Sequence, residues 1–169
     1  MKNYIALLRA VNVGGTGKLP MAELRAICES AGFRDARTYI ASGNVVLKSA
    51  LAEAQVKSRL EAPLARYAGK PVGVLVRTAA EMAAIVAANP FPKAAPNRVV
   101  VIFLDNPPPT DTLATLSHRN GEEVILGKRE LYVNYGDGMA DSKLRIPAAK
   151  NGTSRNMNTV ARLAAMAME

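Results

Sequence analysis

The sequence predicts an α+β protein. Its N-terminal half has the ferredoxin-like split βαββαβ order, and a second, incomplete ferredoxin-like half and a C-terminal helix follow. Two observations carry this prediction. Segments with strand and helix periodicity alternate as strand, helix, strand, strand, helix, strand over residues 1–77. Residues 78–169 then repeat this alternation of strands and helices imperfectly. We therefore expect two subdomains, 1–77 and 78–169, with the last helix packing back on the first.

The first predicted strand covers residues 3–11 and is mostly apolar, which is typical of a central strand buried on both faces. A glycine-rich loop, 12–18, follows it. Pro20 suits the first position of a helix, where a missing N–H costs nothing. We expect that helix to begin near Met21 and to end at Gly32.

Residues 36–49 are predicted to form a hairpin that turns at Ser42-Gly43-Asn44. A helix from about Leu51 to Tyr67 and a strand at 72–76 complete the first subdomain. We expect Pro63 to kink this helix or to end it early, because proline removes one backbone hydrogen bond and clashes with the preceding turn.

The handedness of the crossovers places the first strand at the centre of the sheet, between the third and the fourth, with the third antiparallel to it. The end of the first strand, near Arg9–Asn12, should then lie beside the Ser42–Asn44 turn. The glycine loop and the hairpin tip would share one rim of the sheet.

The second half begins with a predicted helix at 78–88 and a strand at 99–104, and its hairpin should turn near Gly127-Lys128. Thr153 or Ser154 is the expected N-cap of the last helix, because both residue types cap helices well. The remaining predicted elements are a helix at 110–119, strands at 124–126 and 131–134, a short helix at 141–146 and a helix at 156–168.

The composition of the chain argues against membrane-spanning, secreted and disulfide-bonded proteins. No apolar run in the 169 residues reaches the roughly 20 that a membrane span needs. The N-terminus lacks a signal-peptide pattern. The lone cysteine, Cys28, excludes an internal disulfide and falls on the apolar face of a helix. We therefore expect a cytoplasmic protein that does not associate with membranes.

Basic residues concentrate at the two ends of the chain. The net charge is +8, no Asp or Glu precedes Glu23, and none lies between Asp141 and Glu169. If the two ends meet in space, they form one positive field that would favour an anionic partner.

The glycine loop is the first candidate site, because a strand, a glycine loop and a helix N-terminus can cradle an anion. It does not match the Walker pattern, since Asn12 stands where the first glycine belongs and Leu19 replaces Ser or Thr. Pro20 occupies the third glycine of the dinucleotide pattern. The loop is either a series of turns that need glycine, or an anion site flanked by Arg9, Asn12 and Lys18.

The Ser42-Gly43-Asn44 turn is either a tight turn alone or a wall whose hydroxyl and amide face the glycine loop. No serine-hydrolase motif accompanies Ser42. One histidine, His118, and one cysteine cannot build a transition-metal site, so we expect no metal and no cofactor.

The polar run before the last helix has two interpretations. Arg155 and Asn156 belong either to a capped, solvated first turn, or to the same anion site, since a guanidinium suits bidentate anion capture. The full set of candidate ligand-binding residues is Arg9, Asn12, Gly14, Gly15, Lys18, Ser42, Gly43, Asn44, Lys143, Arg155 and Asn156.

Five segments of the chain together carry a family resemblance: ALLRAVNVGG at 6–15, PMAELR at 20–25, TYIASGNVV at 38–46, SKL at 142–144 and TSRNMNTV at 153–160. They resemble a bacterial family of uncharacterised proteins, domain-of-unknown-function family 1697. The resemblance spans nearly the whole chain. It implies a cytoplasmic α+β protein with ferredoxin-like subdomains, and it implies no activity. One residue departs from the family pattern, since Met157 stands where tryptophan is usual. If that ring stacks on a ligand, this chain has lost the contact, and if it only packs, methionine can fill the gap.

Binding of a phosphorylated or carboxylated small molecule, or of a nucleotide, is the function we rank first. Nucleic-acid backbone binding ranks below it, because Val45–Leu47 on the third strand offer no aromatic platform for bases. A cofactor-free enzyme would use Arg9 and Arg155 to stabilise charge, and Ser42 or Lys18 to transfer protons. An oligomerising domain that pairs through an exposed sheet face is a fourth alternative.

Overall fold

The computed structural model describes residues 1–9, 19–40 and 42–169. The chain divides into two compact units. The first unit comprises Met1–Ala84 with Arg162–Glu169, and the second comprises Ile85–Ala161. Each unit contains a four-stranded antiparallel sheet, and the predicted α+β class is confirmed.

The first unit has the predicted split βαββαβ order. Its elements are β1 (Lys2–Leu8), α1 (Met21–Ser30), β2 (Arg34–Thr38), β3 (Asn44–Ser49), α2 (Glu53–Ala68) and β4 (Val74–Thr78), and helix α3 (Ala79–Ala87) follows directly. The sheet has the strand order β2-β3-β1-β4, with β1 antiparallel to both of its neighbours, as the crossover argument requires.

Strand β1 is buried on both faces, since its residues from Tyr4 to Leu8 are at most 1% exposed. Tyr4, Ala6 and Leu8 belong to the core against α1 and α2. Cys28 lies in the same core, and burial raises its pKa to about 12, so the thiol packs as an apolar group. Each fully buried leucine side chain of this core contributes roughly 1.5–3 kcal/mol.

Helix α2 runs without interruption through Pro63, so the expected early end is wrong. The helix ends at Gly69, which adopts the left-handed conformation with φ 71°. Val56, Leu60 and Leu64 are buried on one face of α2. Burial of three such side chains, at roughly 1.5–3 kcal/mol each, outweighs the roughly 3 kcal/mol that an interior proline costs.

The second unit contains the strands β5 (Val99–Phe103), β6 (Glu123–Leu126), β7 (Glu130–Asn134) and β8 (Thr153–Asn156). They repeat the sheet order of the first unit as β6-β7-β5-β8, again with antiparallel neighbours. Helix α4 (Met157–Ala167) follows the fourth strand, as α3 follows the fourth strand of the first unit. Short 3-10 turns stand in the connections where the first unit has α1 and α2.

The predicted helix at 110–119 is wrong. A 3-10 turn covers only Thr112–Thr115, and Leu116 is extended. The threonine hydroxyls explain the short turn, because Thr112 Oγ1 donates to the Pro109 carbonyl and Thr115 Oγ1 to the Thr112 carbonyl. Such local bonds compete with helix formation.

The predicted helix at 141–146 is also wrong. A 3-10 turn precedes it at Gly136–Asp141, and Arg145 then forms an isolated β-bridge with Ser117. Ile146 adopts extended backbone, which is the conformation favoured for a residue before proline. The irregular segments take the place of the missing helices, because Leu116, Met139, Leu144 and Ile146 pack against one face of the second sheet.

Strand β8 is an element that the sequence pattern did not predict, because its polar residues have the composition of a helix cap. The expected N-cap at Thr153 or Ser154 is wrong. Instead the Asn156 Oδ1 accepts the backbone N–H of Thr159 at 3.0 Å, so Asn156 caps α4. Pairing of Arg155 with Val101 defines the strand, and a pairing partner distant in sequence is invisible to local patterns.

The end of α4 belongs to the first unit, where two side chains bond its last carbonyls. The Asn3 Nδ2 donates to the Ala167 carbonyl at 2.7 Å, and the Arg37 Nη2 donates to the Met166 carbonyl at 2.7 Å. The positive charge of Arg37 at the C-terminus of α4 interacts favourably with the helix dipole.

Among the helices described, none combines the length and the apolar character that crossing a bilayer demands.

Candidate functional site

The candidate site is one rim of the first sheet, formed by Arg9, Ser42, Gly43, Asn44 and Gly73. Leu7 of β1 pairs with Asn44 of β3. The next backbone N–H, that of Leu8, donates to the Gly43 carbonyl at 2.9 Å. The prediction that the end of β1 lies beside the Ser42–Asn44 turn is therefore confirmed.

Arg9 lies between this turn and the start of β4. Its backbone N–H donates to the Gly73 carbonyl at 2.9 Å. A side chain at position 73 would clash with Arg9, because a Cβ built there comes within 2.8 Å of the arginine Cδ. Because Gly73 has no side chain, the side-chain carbons of Arg9 can lie against its backbone. The positively charged Arg9 stands directly before residues 10–18 in the chain.

Asn44 is fully buried and holds the hairpin tip from inside. Its Nδ2 donates to the Tyr39 carbonyl and to the Ser42 Oγ, both at 2.9 Å. Gly43 has φ 87°, which glycine adopts without strain. The Ser42 hydroxyl oxygen accepts an amide hydrogen of Asn44. Asn44 therefore positions this hydroxyl and stabilises the turn.

Ile40 is a feature of the tip that sequence reasoning missed. It has φ 50° and its side chain is 48% exposed. A β-branched residue in the left-handed region carries strain on the order of 1 kcal/mol or more, and such strain concentrates at functional positions. The sequence carries no signal for it, because Tyr39-Ile40 has the composition of a strand.

Four predicted residues of the glycine loop, Asn12, Gly14, Gly15 and Lys18, lie outside the described residues. Three others belong to the second unit. Of these, Lys143 is exposed, and it follows Ser142, whose hydroxyl donates to the Glu122 Oε2 at 2.5 Å. The pKa of Glu122 lies below its usual value, chiefly because of this bond.

Arg155 and Asn156 both bond within the second unit. The Arg155 Nη1 donates to the Thr153 Oγ1 at 2.7 Å and to the Ser154 carbonyl at 2.9 Å. Burial lowers the pKa of Arg155 to about 10, since a charged group loses hydration inside the protein. Asn156 is the cap of α4 described above.

Two surface grooves in the first unit are lined by residues other than those of the rim. One, with a volume of about 350 Å³, runs between α1 and α2 beside Ile27 and Pro63. The other, of about 460 Å³, lies at the opposite end of β1, beside Lys2 and Met168.

Within ranges 1–9, 19–40 and 42–169, no group of three or more His, Cys, Asp or Glu side chains is placed to hold a metal ion.

Comparison with known proteins places the chain in a family. The model of a family described as protein of unknown function (DUF1697) matches residues 1–132. The structure of the conserved bacterial protein SP0830 from Streptococcus pneumoniae is similar, with a TM-score of 0.81, 24% sequence identity and 98% of each chain covered, and it shows a shared fold. No protein with a curated description matches. The chain belongs to the DUF1697 family, as the sequence motifs predicted.

Proposed function

We propose that the rim of the first unit binds a small ligand that carries a phosphate or carboxylate group. The observation that carries the proposal is the hydrogen bond from the Leu8 N–H to the Gly43 carbonyl at 2.9 Å. Arg9 is the next residue of the chain, and its own backbone N–H donates to the Gly73 carbonyl on the other side of β1. A cation, a hydroxyl and a glycine-rich backbone segment are the groups with which proteins commonly bind anions.

Each group of the rim has a distinct role in this proposal. Arg9 supplies the charge, and its guanidinium suits two oxygen atoms of one anionic group. Ser42 supplies a hydroxyl that Asn44 positions. Gly14, Gly15 and Lys18 are predicted ligand-binding residues outside the described residues, so the proposal rests on Arg9 and Ser42. The proposal is confined to the first unit, because Arg155 and Asn156 bond to neighbouring groups of the second.

Nucleic-acid binding on the sheet is disfavoured by burial. Domains that bind RNA on such a sheet stack bases on exposed aromatic residues. Here Ile5, Leu7, Val46 and Leu75, on the face opposite α1 and α2, are at most 1% exposed. The same burial removes the exposed sheet face that pairing of two copies would need.

A cofactor-free enzyme would act on its substrate at the same rim, so binding is the first property to establish. The lone, buried cysteine is consistent with a cytoplasmic bacterial protein, and free phosphorylated metabolites are ligands of that compartment.

The test is thermal unfolding with sulfate, inorganic phosphate, nucleotides and sugar phosphates. At a ligand concentration 100-fold above Kd, binding to the folded state adds about 2.7 kcal/mol of stability. Since 1 kcal/mol raises the Tm of a protein of this size by roughly 2–4 °C, a bound anion raises it by several degrees. Arg9→Ala should reduce the shift to near zero.

The control is Arg34→Ala, which removes an exposed arginine at the opposite end of the same sheet, where Arg34 pairs with Lys48. This variant changes the net charge equally and should keep the full shift. No stabilisation of the wild type by any of these anions would refute the proposal. Equal shifts in Arg9→Ala and Arg34→Ala would assign the effect to net charge and refute it as well.

A further inference from the structure

The two sheets follow one plan, which allows their hairpins to be compared residue by residue. At the centre of each first strand, an apolar residue pairs with a buried arginine on the fourth strand: Ile5 with Arg77, and Val101 with Arg155. Each arginine donates from Nη1 to the carbonyl of the preceding residue at 2.9 Å. In both units the residue after the arginine caps the following helix, by the Thr78 Oγ1 in the first and the Asn156 Oδ1 in the second.

This alignment equates the two hairpin tips. Leu7 pairs with Asn44, and the equivalent Phe103 pairs with Glu130. The bond from Leu8 N–H to the Gly43 carbonyl is matched by one from Leu104 N–H to the Arg129 carbonyl, also at 2.9 Å. Asn44 and Glu130 therefore hold the same place, at the head of the third strand.

The closing bond of each hairpin shows how the tips differ in length. Tyr39 N–H donates to the Asn44 carbonyl, and Gly127 N–H donates to the Glu130 carbonyl. Residues 40–43 lie between the first pair and residues 128–129 between the second. The first tip is thus longer by two residues, and strained Ile40 is in the longer segment.

The second hairpin tip contains a buried carboxylate of the protein itself. The Glu130 carboxylate, 6% exposed, accepts the backbone N–H of Lys128 at 3.2 Å and that of Arg129 at 2.8 Å. At the same position of the first tip, the Asn44 Nδ2 instead donates to two oxygen atoms. The residue after Leu8 is Arg9, whereas the residue after Leu104 is Asp105. The first rim therefore has a neutral side chain and a cation where the second has two carboxylates.

We propose that Asn44 is the residue that sets the anion specificity of the rim. In the second unit a carboxylate of the chain itself occupies the tip. In the first unit the side chain of Asn44 is neutral, so the chain itself puts no carboxylate at this position of the tip. This inference rests on the proposed function and adds the position at which a negative charge excludes the ligand.

The experiment measures sulfate binding by calorimetric titration at pH 7 and pH 4.5, because sulfate keeps its double charge at both. Asn44→Asp changes one nitrogen to oxygen and introduces a carboxylate. At pH 7 repulsion between like charges a few ångströms apart should weaken sulfate binding on the order of tenfold or more. The charge-matched control is Asn97→Asp, at an exposed position of the second unit, which should bind sulfate like the wild type.

At pH 4.5 the carboxyl group that Asn44→Asp introduces should be largely protonated, because burial raises the pKa of a carboxyl group. The affinity of Asn44→Asp, expressed relative to the wild type at the same pH, should then recover. Equal weakening at both pH values would show a packing defect and would overturn the inference. Wild-type affinity at pH 7 would overturn it too, while the proposed function would stand.

If Asn44→Asp does not fold, Ser42→Asp decides, since Ser42 is only half-buried and a carboxylate there also enters the tip. The comparison is with Ser42→Asn, which removes the hydroxyl without adding a charge. Binding that is tenfold weaker in Ser42→Asp than in Ser42→Asn supports the inference, and equal affinity of the two variants overturns it. If the wild type binds none of the anions tested, the proposed function fails and this inference fails with it.

Discussion

At the scale of single residues, the polar group buried at the head of the third strand shapes each hairpin tip. Asn44 and Glu130 occupy equivalent places but bond to opposite partners, since the amide donates to oxygen atoms and the carboxylate accepts backbone N–H groups. A buried polar group without its partners costs about 1–3 kcal/mol. Such a position is therefore selective for the residue type that fits the local backbone.

Replacement of Glu130 by glutamine should destabilise the protein by about 1–3 kcal/mol, because the side-chain NH₂ group cannot accept the N–H of Lys128 or Arg129. Urea unfolding measures the change. The matched control is Glu123→Gln on β6, where the carboxylate is exposed and a surface change should stay within roughly 0.5 kcal/mol. Equal stability of the two variants would show that the Glu130 carboxylate is not needed for the turn.

The residues of the rim show how far local sequence patterns reach. The glycine and asparagine of the Ser42–Asn44 turn predicted its position, because these residues favour tight turns. The burial of Asn44 depends on its pairing with Leu7 of the neighbouring β1 strand. A pattern of residue types within one segment contains no information about that neighbour.

At the scale of elements, long apolar segments were predicted well and short polar ones were not. Strand β1 and helix α2 bury apolar residues with a clear period, so their sequence specifies them. Strand β8 has four residues, all of them polar or charged, and only its pairing with β5 makes it a strand. The two helices wrongly predicted in the second unit fail for a related reason, because threonine hydroxyls and Pro147 favour turns and extended backbone there.

Pro63 supplies a test of the balance between propensity and packing in α2. Pro63→Ala should restore one backbone hydrogen bond and raise the free energy of unfolding by about 1–3 kcal/mol, a part of what an interior proline costs. Chemical denaturation measures it. Pro71→Ala, at an exposed site outside the helix, controls for the greater freedom of the unfolded chain. A loss of stability in Pro63→Ala larger than in Pro71→Ala would mean that the proline ring itself packs productively against α1.

At the scale of the whole molecule, the two units have sheets with the same strand order. They differ in the segments that connect the strands, which are helices in the first unit and 3-10 turns in the second, and in the residues of the rim. The strand order of the first copy followed from crossover handedness, but the strand-for-strand repeat was only partly visible in the sequence. The two copies retain the buried arginines and helix caps that the plan needs, and they differ at the rim. Retention of the plan with divergence at one end of each sheet supports a site in the first unit.

Each unit also buries a weak acid whose pKa is raised strongly, and these two groups contribute to the response of the protein to alkaline pH. Burial raises the pKa of Cys28 from 9.0 to about 12, and burial followed by the charge of Glu130 raises that of Tyr132 from 10.0 to about 12. Because the folded state holds these protons more tightly, their contribution to stability is complete below pH 9 and is lost as the pH rises toward 12.

The free energy of unfolding should therefore decrease above pH 9, with a slope that approaches about 1.4 kcal/mol per pH unit for each group that titrates only in the unfolded chain. Cys28→Ala should flatten the decrease between pH 9 and 10, and Tyr132→Phe should flatten it between pH 10 and 12. Arg155 opposes the trend above pH 10, since its lowered pKa makes the unfolded state the better proton acceptor there. A wild-type stability that stays constant from pH 9 to 10, with the same profile in Cys28→Ala, would contradict the burial of the thiol in the core.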